Sequence, residues 1–482
     1  MSPVPEGFEI VVGLEVHCEL LTETKLFCGC VNGFGAEANT HVCPVCLGLP
    51  GSLPVLNERA VELAMRIGHA LGCAIEPSTF HRKNYFYPDM PKDFQITQYD
   101  QPINRNGVVE LPDGSRVRVE RAHIEEDTGK STHVGRGGRI ADSEYSLVDY
   151  NRAGVPLVEI VSAPDISSPE QARAYVSELR SILIAVGASD GRMEEGSMRV
   201  DANVSLRRVG ASELGTRCEV KNLNSLRSLG RAIEHEAERQ AALLNSGGRV
   251  VQETRHFDEQ TGTTGSMRSK EEANDYRYFP EPDLVALTPP PALVARARDA
   301  VGLLPSARRA RLLALVDEGP SGASVDQITT VVELGLDDLV AEAVAKGADP
   351  RLGIARAANE AAHDPVAARE IDPGAFARLI ELESSGALSA TQSKSVLAEM
   401  LLSKGEPAEI ARRLGFESLD PGALDSVIDA VIADHPAEWA RYCEGDPKVA
   451  GFLLGTIMRA TSGKANGKVV TAALELRRGA AS

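Results

Sequence analysis

Aromatic side chains are scarce in this chain of 482 residues: Phe, Trp and Tyr make up 4%, with a single Trp. Apolar runs are short too, and none approaches the ~18 residues that a membrane-crossing helix needs. Positive charge is in deficit, with 51 Lys and Arg against 69 Asp and Glu and a formal net charge of −18. Polyanion affinity comes mainly from Lys and Arg that neutralise phosphates. Any nucleic-acid contact must therefore come from a local basic patch. The opening Met1–Gly7 has neither the basic segment nor the apolar core of a secretory signal. A cytoplasmic chain with no membrane partner is the expectation. The rest is ordinary for a globular protein, at 43% hydrophobic and 25% charged. The length predicts about three domains.

Four of the eight cysteines fall close together, Cys28, Cys30, Cys43 and Cys46. Glycines and Pro44 bend the chain around them. Two short pairs on tight turns can close a tetrahedron around Zn²⁺. A disulfide pair is the competing reading, and a cytosolic setting disfavours it. With all four positions filled by thiolates, such a zinc site is structural (non-catalytic). Cys18, Cys73, Cys218 and Cys443 are scattered and read as small buried hydrophobes.

Residues 1–291 read as α+β. Short alternating runs at Glu9–Leu21, Val117–Ile124, Ser146–Tyr150, Leu157–Val161, Arg199–Leu206 and Arg217–Leu223 predict strands. Helical patterns lie between them at Asn57–Leu71, Ser168–Val186 and Ser225–Leu244, the second with Ser168 as cap and Pro169 behind it. Few crossover helices imply a mainly antiparallel sheet. Three prolines at 289–291 mark a linker. From there Ala, Leu, Glu and Arg at helical spacing predict an all-α domain over 292–404. A second boundary at Gly405–Pro407 leaves a small helical tail over 405–482. There Lys464, Lys468, Arg477 and Arg478 are the candidate basic patch.

Carboxylates recur on strand faces. Period two places Glu15, His17 and Glu19 on one face and Leu14, Val16, Cys18 and Leu20 on the other. Three consecutive acids, Glu125, Glu126 and Asp127, repel one another unless solvated or bound to cations. Glu159 is the lone charge in the apolar run Val155–Ser162. A carboxylate there costs several kcal/mol unless paired or metal-bound. Arg199, Asp201, Asn203 and Ser205 share a fourth polar face. Such hard oxygen ligands suit Mg²⁺ or Mn²⁺, and Mg²⁺ so held usually also holds substrate phosphates. Gly129–Ser131 ends like a phosphate loop, but Ile124 stands where the earlier glycine is required. No nucleophile elbow is present. The stretch His81–Tyr99 sets Arg82 and Lys83 among Tyr85, Phe86, Tyr87, Phe94 and Tyr99. It suits stacking on an unpaired base as well as it suits a loop with its own small core.

The segments Gly13–His17, Arg82–Asp89, Glu125–His133, Met193–Arg199, Asp201–Asn203, Glu219–Ser225 and Asp275–Pro280 resemble the B subunit of the aspartyl/glutamyl-tRNA amidotransferase. The tail Val449–Met458 with Ala465 and Asn466 resembles that family's tRNA-binding domain, with Gly467 where the family usually has Pro. The resemblance implies a cradle-like catalytic domain akin to glutamine synthetase. It implies ATP-dependent phosphorylation of the side-chain carboxylate of Glu-tRNA(Gln) or Asp-tRNA(Asn), followed by amidation. Ammonia would come from a separate amidase (glutaminase), the A subunit, with a small C subunit completing a heterotrimer. His17, Glu126 and Glu159 match the family's lasting Mg²⁺ site, and Glu15 and Glu125 a second, nucleotide-linked one. A histidine ligand keeps Mn²⁺ open. Lys83 and Asp201 join Glu15, Glu125 and Glu159 as catalytic candidates. Lys130, Ser131, Arg199, Asn203 and Lys221, with Tyr85 and Tyr87, are the candidates for ATP and aminoacyl contacts. A zinc-stapled tRNA-binding adaptor without chemistry, or a carboxylate-metal phosphohydrolase, would use parts of the same pattern.

Overall fold

The computed structural model describes residues 6–135, 143–269, 276–316, 324–416, 421–461, 465 and 467–481. These residues form two compact units, divided between Ser306 and Ala307. No described helix is long and apolar enough to cross a membrane.

The first unit is built on strands β1 (Phe8–Glu19), β2 (Ala74–Ile75), β3 (Phe80–Asn84), β4 (Phe94–Gln98), β5 (Asn104–Glu110), β6 (Arg116–Glu126) and β7 (Lys130–Gly135). It continues through β8 (Ser143–Asp149), β9 (Pro156–Ser162), β10 (Met198–Arg208), β11 (Cys218–Leu223), β12 (Glu253–Asp258), β13 (Thr263–Ser269) and β14 (Phe279–Pro280). Twelve strands form one sheet in the order β13-β12-β11-β10-β1-β9-β6-β4-β3-β14, with β5 beside β6 and β2 beside β5. All pairings are antiparallel except β11 with β12. β7 and β8 pair apart from this sheet.

β1 sits near the middle of the sheet because its alternation serves two masters. Leu14, Val16, Cys18 and Leu20 are fully buried, and with Val158, Ile160, Ala202 and Val204 they form an apolar face. Three helices close over it, Glu58–Ala70, Pro169–Ala185 and Leu226–Asn245, burying Leu63, Ile67, Leu179 and Ile233. Each starts on a side-chain cap: Asn57 accepts from the Arg59 amide, Ser168 from Gln171 and Ser225 from Ser228. These helices match the sequence reading to within two residues. The helix Pro291–Asp299 lies past the expected 291/292 boundary, yet its Leu293 and Ala297 complete this first core.

The four cysteines sit in the loop after β1, with their sulfurs within 4.8 Å of one another. Cys43 Sγ and Cys46 Sγ are 3.9 Å apart. Sulfurs at ~2.3 Å around a tetrahedral zinc lie about 3.8 Å from each other. The arrangement thus fits a Zn²⁺, held by the four thiolates, that staples the loop.

The second unit is helical. Ile328, Val340, Ile354, Phe376 and Leu397 centre one core, and Ile428, Leu453, Ile457 and Val470 another. Helix Pro407–Arg413, beyond the expected 404/405 boundary, gives Ile410 and Ala411 to the former. Asp337 is fully buried at a helix start, where Arg308 forks onto it and Arg311 reaches it at 2.5 Å. Of the expected basic patch, Lys464 lies outside the described residues. Arg477 is engaged by Asp425 at 2.6 Å and Asp429 at 2.7 Å.

Removing Asp337 leaves two guanidinium groups without their buried partner. Asp337→Ala should destabilise the helical unit by ~3–5 kcal/mol, read by chemical denaturation of the full chain. Cys43→Ser should lower the capacity of the chain to bind Zn²⁺, read by metal analysis. It should also lower the melting temperature by about 4 °C or more, the scale of ~2 kcal/mol in a unit of this size. Cys443→Ser should do neither.

Candidate functional site

The polar face of β1 looks into a cavity of about 780 Å³. Strand register decides what meets there. Glu15 stands opposite Asp201 of β10, and His17 opposite Glu159 of β9. His123 of β6 stands opposite Glu159 in turn, and Glu219 of β11 opposite Asn203. Side chains directly opposite in an antiparallel pair share a face. Five acids from five strands therefore point the same way, with Lys83 of β3 and Lys221 of β11 among them.

Two donor clusters result. In the first, His17 Nε2 lies 3.6 Å from Glu159 Oε2 and 3.7 Å from Glu125 Oε1. Burial works against a charged His17, but the hydrogen bond and charge of Glu159, then Glu125 and Asp201, outweigh it and lift its pKa to about 9. Glu159 is held well below the usual carboxylate range: burial opposes this, and His123 and His17 overcome it. Glu125 is raised by burial and by the Glu159 charge. His123 is pushed down to about 4, chiefly by burial.

The second cluster is Glu15, Asp201 and Glu219, carboxylates only. Lys221 Nζ bridges Glu219 at 2.9 Å and Asp201 at 3.2 Å, while Asn203 donates to Glu15 at 3.0 Å. Burial and the charges of Glu159, Glu219 and Asp201 raise Glu15. Both clusters fit divalent cations. Their oxygens crowd closely enough to ligate one ion, and their mutual repulsion is what a cation relieves. Lys83 is half-buried, and its loss of solvent by itself favours the neutral amine, but Glu125, Tyr278 and Glu159 turn the balance and raise it. Its Nζ lies 5.0 Å from the centre of the Tyr276 ring.

The structure brings together Glu15, His17, Glu125, Glu159, Asp201, Asn203, Lys83, Lys221 and Tyr87 of the residues expected from sequence. Glu126 requires a correction. It adjoins Glu125 on one strand, so period two sends it to the opposite face. There it accepts from the Ile96 amide at 2.8 Å and pairs with Lys92, beside the cysteine loop. Glu125 takes its place next to His17 and Glu159, and Glu15 consequently finds Asp201 and Glu219 instead of Glu125. Arg199 stands opposite His17 but is spent on Asp127 at 2.9 Å, where Arg152 also binds at 3.2 Å. Lys130 and Ser131 lie on the β7–β8 hairpin, outside the cavity wall. Tyr85 packs near Tyr87, with ring centres 6.4 Å apart, and is not part of that wall.

Sequence reasoning passed over Glu219, His123 and Tyr278. Glu219 alternates with Lys221, the same signal that exposed β1. His123 stands two residues before Glu125, on its face. Tyr278 stacks on Tyr99 with ring centres 3.9 Å apart, a long-range pairing with no local mark. Asp275, next to this segment, lies outside the described residues.

Comparison with known proteins agrees with this geometry. Residues 10–295 match the GatB/GatE catalytic domain family, and residues 338–477 match the GatB domain family. The B subunit of the aspartyl/glutamyl-tRNA(Asn/Gln) amidotransferase of Frankia casuarinae is 49% identical over 97% of this chain and 95% of its own length. The protein of the same name from Thermobifida fusca is 48% identical over 96% of this chain and 92% of its own. That from an Anaeromyxobacter species is 47% identical over 98% and 99%. With both domains matched in order and nearly full-length relatives at this identity, the chain belongs to the GatB family of amidotransferase B subunits.

Proposed function

We propose that this chain is the synthetase component of a glutamine-dependent tRNA amidotransferase, a ligase that forms a carbon–nitrogen bond. Its substrates would be Glu-tRNA(Gln), Asp-tRNA(Asn) or both, and its product the amidated aminoacyl-tRNA used in protein synthesis. The observation that carries this reading is the pair of cation-type clusters on one sheet face, beside Lys83, inside one cavity.

A carboxylate is a poor electrophile. An oxygen of the substrate's side-chain carboxylate attacks the γ-phosphorus of ATP, and ADP leaves with the electrons of the broken P–O bond. Ammonia then adds to the acyl carbon, the C–O bond to phosphate breaks, and nitrogen sheds a proton. Divalent cations, Mg²⁺ with Mn²⁺ as the alternative, would clamp the phosphates and neutralise charge on the group in transfer. His17, Glu125 and Glu159 would hold one, and Glu15, Asp201 and Glu219 the other. Lys83 and Lys221 are placed to meet phosphoryl oxygens, and Asn203 and Tyr87 to bound the substrate. Tyr99 and Tyr278 offer a flat aromatic wall on which a base can stack.

Ammonia must come from elsewhere. Burial pushes Cys18 up to about 12 and Cys218 up to about 11, so neither is a ready glutaminase nucleophile. A separate amidase (the A subunit) and a small C subunit, joined with this chain in a cytoplasmic heterotrimer, meet this need. The sheet would act as a cradle of the glutamine-synthetase kind, the cysteine loop as its zinc staple, and the C-terminal helices as the tRNA-binding part. An adaptor without chemistry has no use for Glu159 buried between two histidines.

The test uses the complex with its amidase and small partners, ATP, Mg²⁺, glutamine and each mischarged tRNA. Glu159→Ala should retain glutamine hydrolysis and lose amidation by ~100-fold or more, about 2.7 kcal/mol of transition-state stabilisation. Equal amidation by both forms would make Glu159 structural and overturn the site. Glu219→Gln should raise the Mg²⁺ concentration needed for half-maximal amidation.

A further inference from the structure

We propose that Asn84 is a positioning residue: its side chain pins a bulge at Arg277, and that bulge sets Tyr276 and Tyr278 in place as part of a ledge for an adenine base, a role that rests on the functional reading above.

Register exposes the bulge. A strap that contains β14 runs back along β3, with Phe279 opposite Arg82 and Pro280 opposite His81. The Glu281 amide donates to the Phe80 carbonyl at 2.8 Å in the same register. Continued by two residues, that register sets Tyr278 opposite Lys83 and Arg277 opposite Asn84. The Asn84 amide instead donates to the Tyr276 carbonyl at 2.9 Å, one residue out of step. Two residues of the strap thus face one residue of β3, as in a β-bulge. The extra residue, Arg277, has a φ of +42°, in the left-handed region that glycine fills most readily. The Asn84 carboxamide holds the chain there. Its Nδ2 donates to the carbonyl of Tyr276 at 3.1 Å and to that of Arg277 at 2.8 Å, one proton to each.

The slip moves Tyr276 one place along β3, from opposite Tyr85 to opposite Asn84. Its ring then lies 5.0 Å from Lys83 Nζ and meets Tyr278 edge to face at 6.1 Å. Tyr278 in turn lies flat against Tyr99, with an angle of 7° between the rings. All three tyrosines line the cavity that holds the carboxylate clusters. Tyr99 stays 53% exposed, so ring area is left for a ligand. Aromatic rings of this kind stack on a nucleobase. Both substrates of the proposed reaction bring an adenosine, ATP as its nucleoside and tRNA at its 3′ end. The ligand chemistry they share is an adenine base.

The test is steady-state amidation by the complex with its amidase and small partners, with ATP and mischarged tRNA varied in turn. Asn84→Leu keeps the backbone amide but donates nothing from its side chain. It should raise the KM of one substrate ~10-fold, within the range of a lost base–aromatic stack, and leave kcat and the other KM within about 2-fold. The KM that moves identifies the source of the adenine. Arg277→Gly in the same chain should restore that KM, because glycine holds the bulge without a pin. Tyr99→Leu, which leaves the strap alone, should raise the same KM. A rise in both KM values, a fall in kcat alone, no change, or no rescue by Arg277→Gly would make Asn84 structural and overturn the proposal. Where Asn84→Leu fails to fold, the isosteric Asn84→Asp is read in the same way. A wild-type complex that amidates neither tRNA would sink the functional reading, and equilibrium binding of ATP and of tRNA(Gln) would then decide on the ledge. Weaker binding of one of them in both Asn84→Leu and Tyr99→Leu would keep it, and unchanged binding would overturn it.

Discussion

Repulsion among buried carboxylates is the constraint on which this molecule turns. Glu15, Glu125, Glu159, Asp201 and Glu219 crowd one sheet face. Two like charges 4 Å apart cost about 4 kcal/mol at the effective dielectric of such sites. Several other groups on the face answer that cost. The pKa of His17 is lifted to about 9, the half-buried Lys83 and the more exposed Lys221 are raised by the acids around them, and Glu15 and Glu125 are raised toward neutrality. A face of this kind suits divalent cations, whose binding would displace protons from it.

Such strain needs a rigid base. The opposite face of the same strands supplies it with Leu14, Val16, Val158, Ile160, Ala202 and Val204, sealed under three capped helices. The division is clean because side chains alternate strictly along each strand. The polar clusters and the apolar packing thus share residues of one strand without sharing space. The cysteine loop and the Lys92–Glu126 pair lie on the packed side of this division, where they brace β4 and β6 from behind.

The periodic parts of this design were legible in the sequence. Alternation marked β1, β9 and β10, helical spacing marked the three covering helices, the second with its Ser168 cap, and Glu159 stood out as one charge in an apolar run. The four cysteines announced themselves by spacing. What stayed hidden was register. Nothing local says that Glu125, and not its neighbour Glu126, meets His17, or that Glu219 joins Glu15. Strand pairing between segments far apart in the chain decides both. Lys130 and Ser131 stand away from the cavity wall because β7 pairs with β8 and not with the large sheet, and no local pattern tells which sheet a strand joins. Arg199 misled because Asp127, from beyond the end of another strand, had already claimed it.

The adjacent pair Glu125–Glu126 also bears on how this protein can vary over generations. One acid serves the carboxylate-rich face and the other the side of the cysteine loop, and only parity along β6 tells them apart. Losing or gaining one residue within that strand would exchange the two. The cluster with His17 and Glu159 would forfeit a carboxylate, and Lys92 would lose its counter-charge in the same event. Parity thus constrains the length of this strand more tightly than its composition, and an insertion would disturb least in the loops on either side.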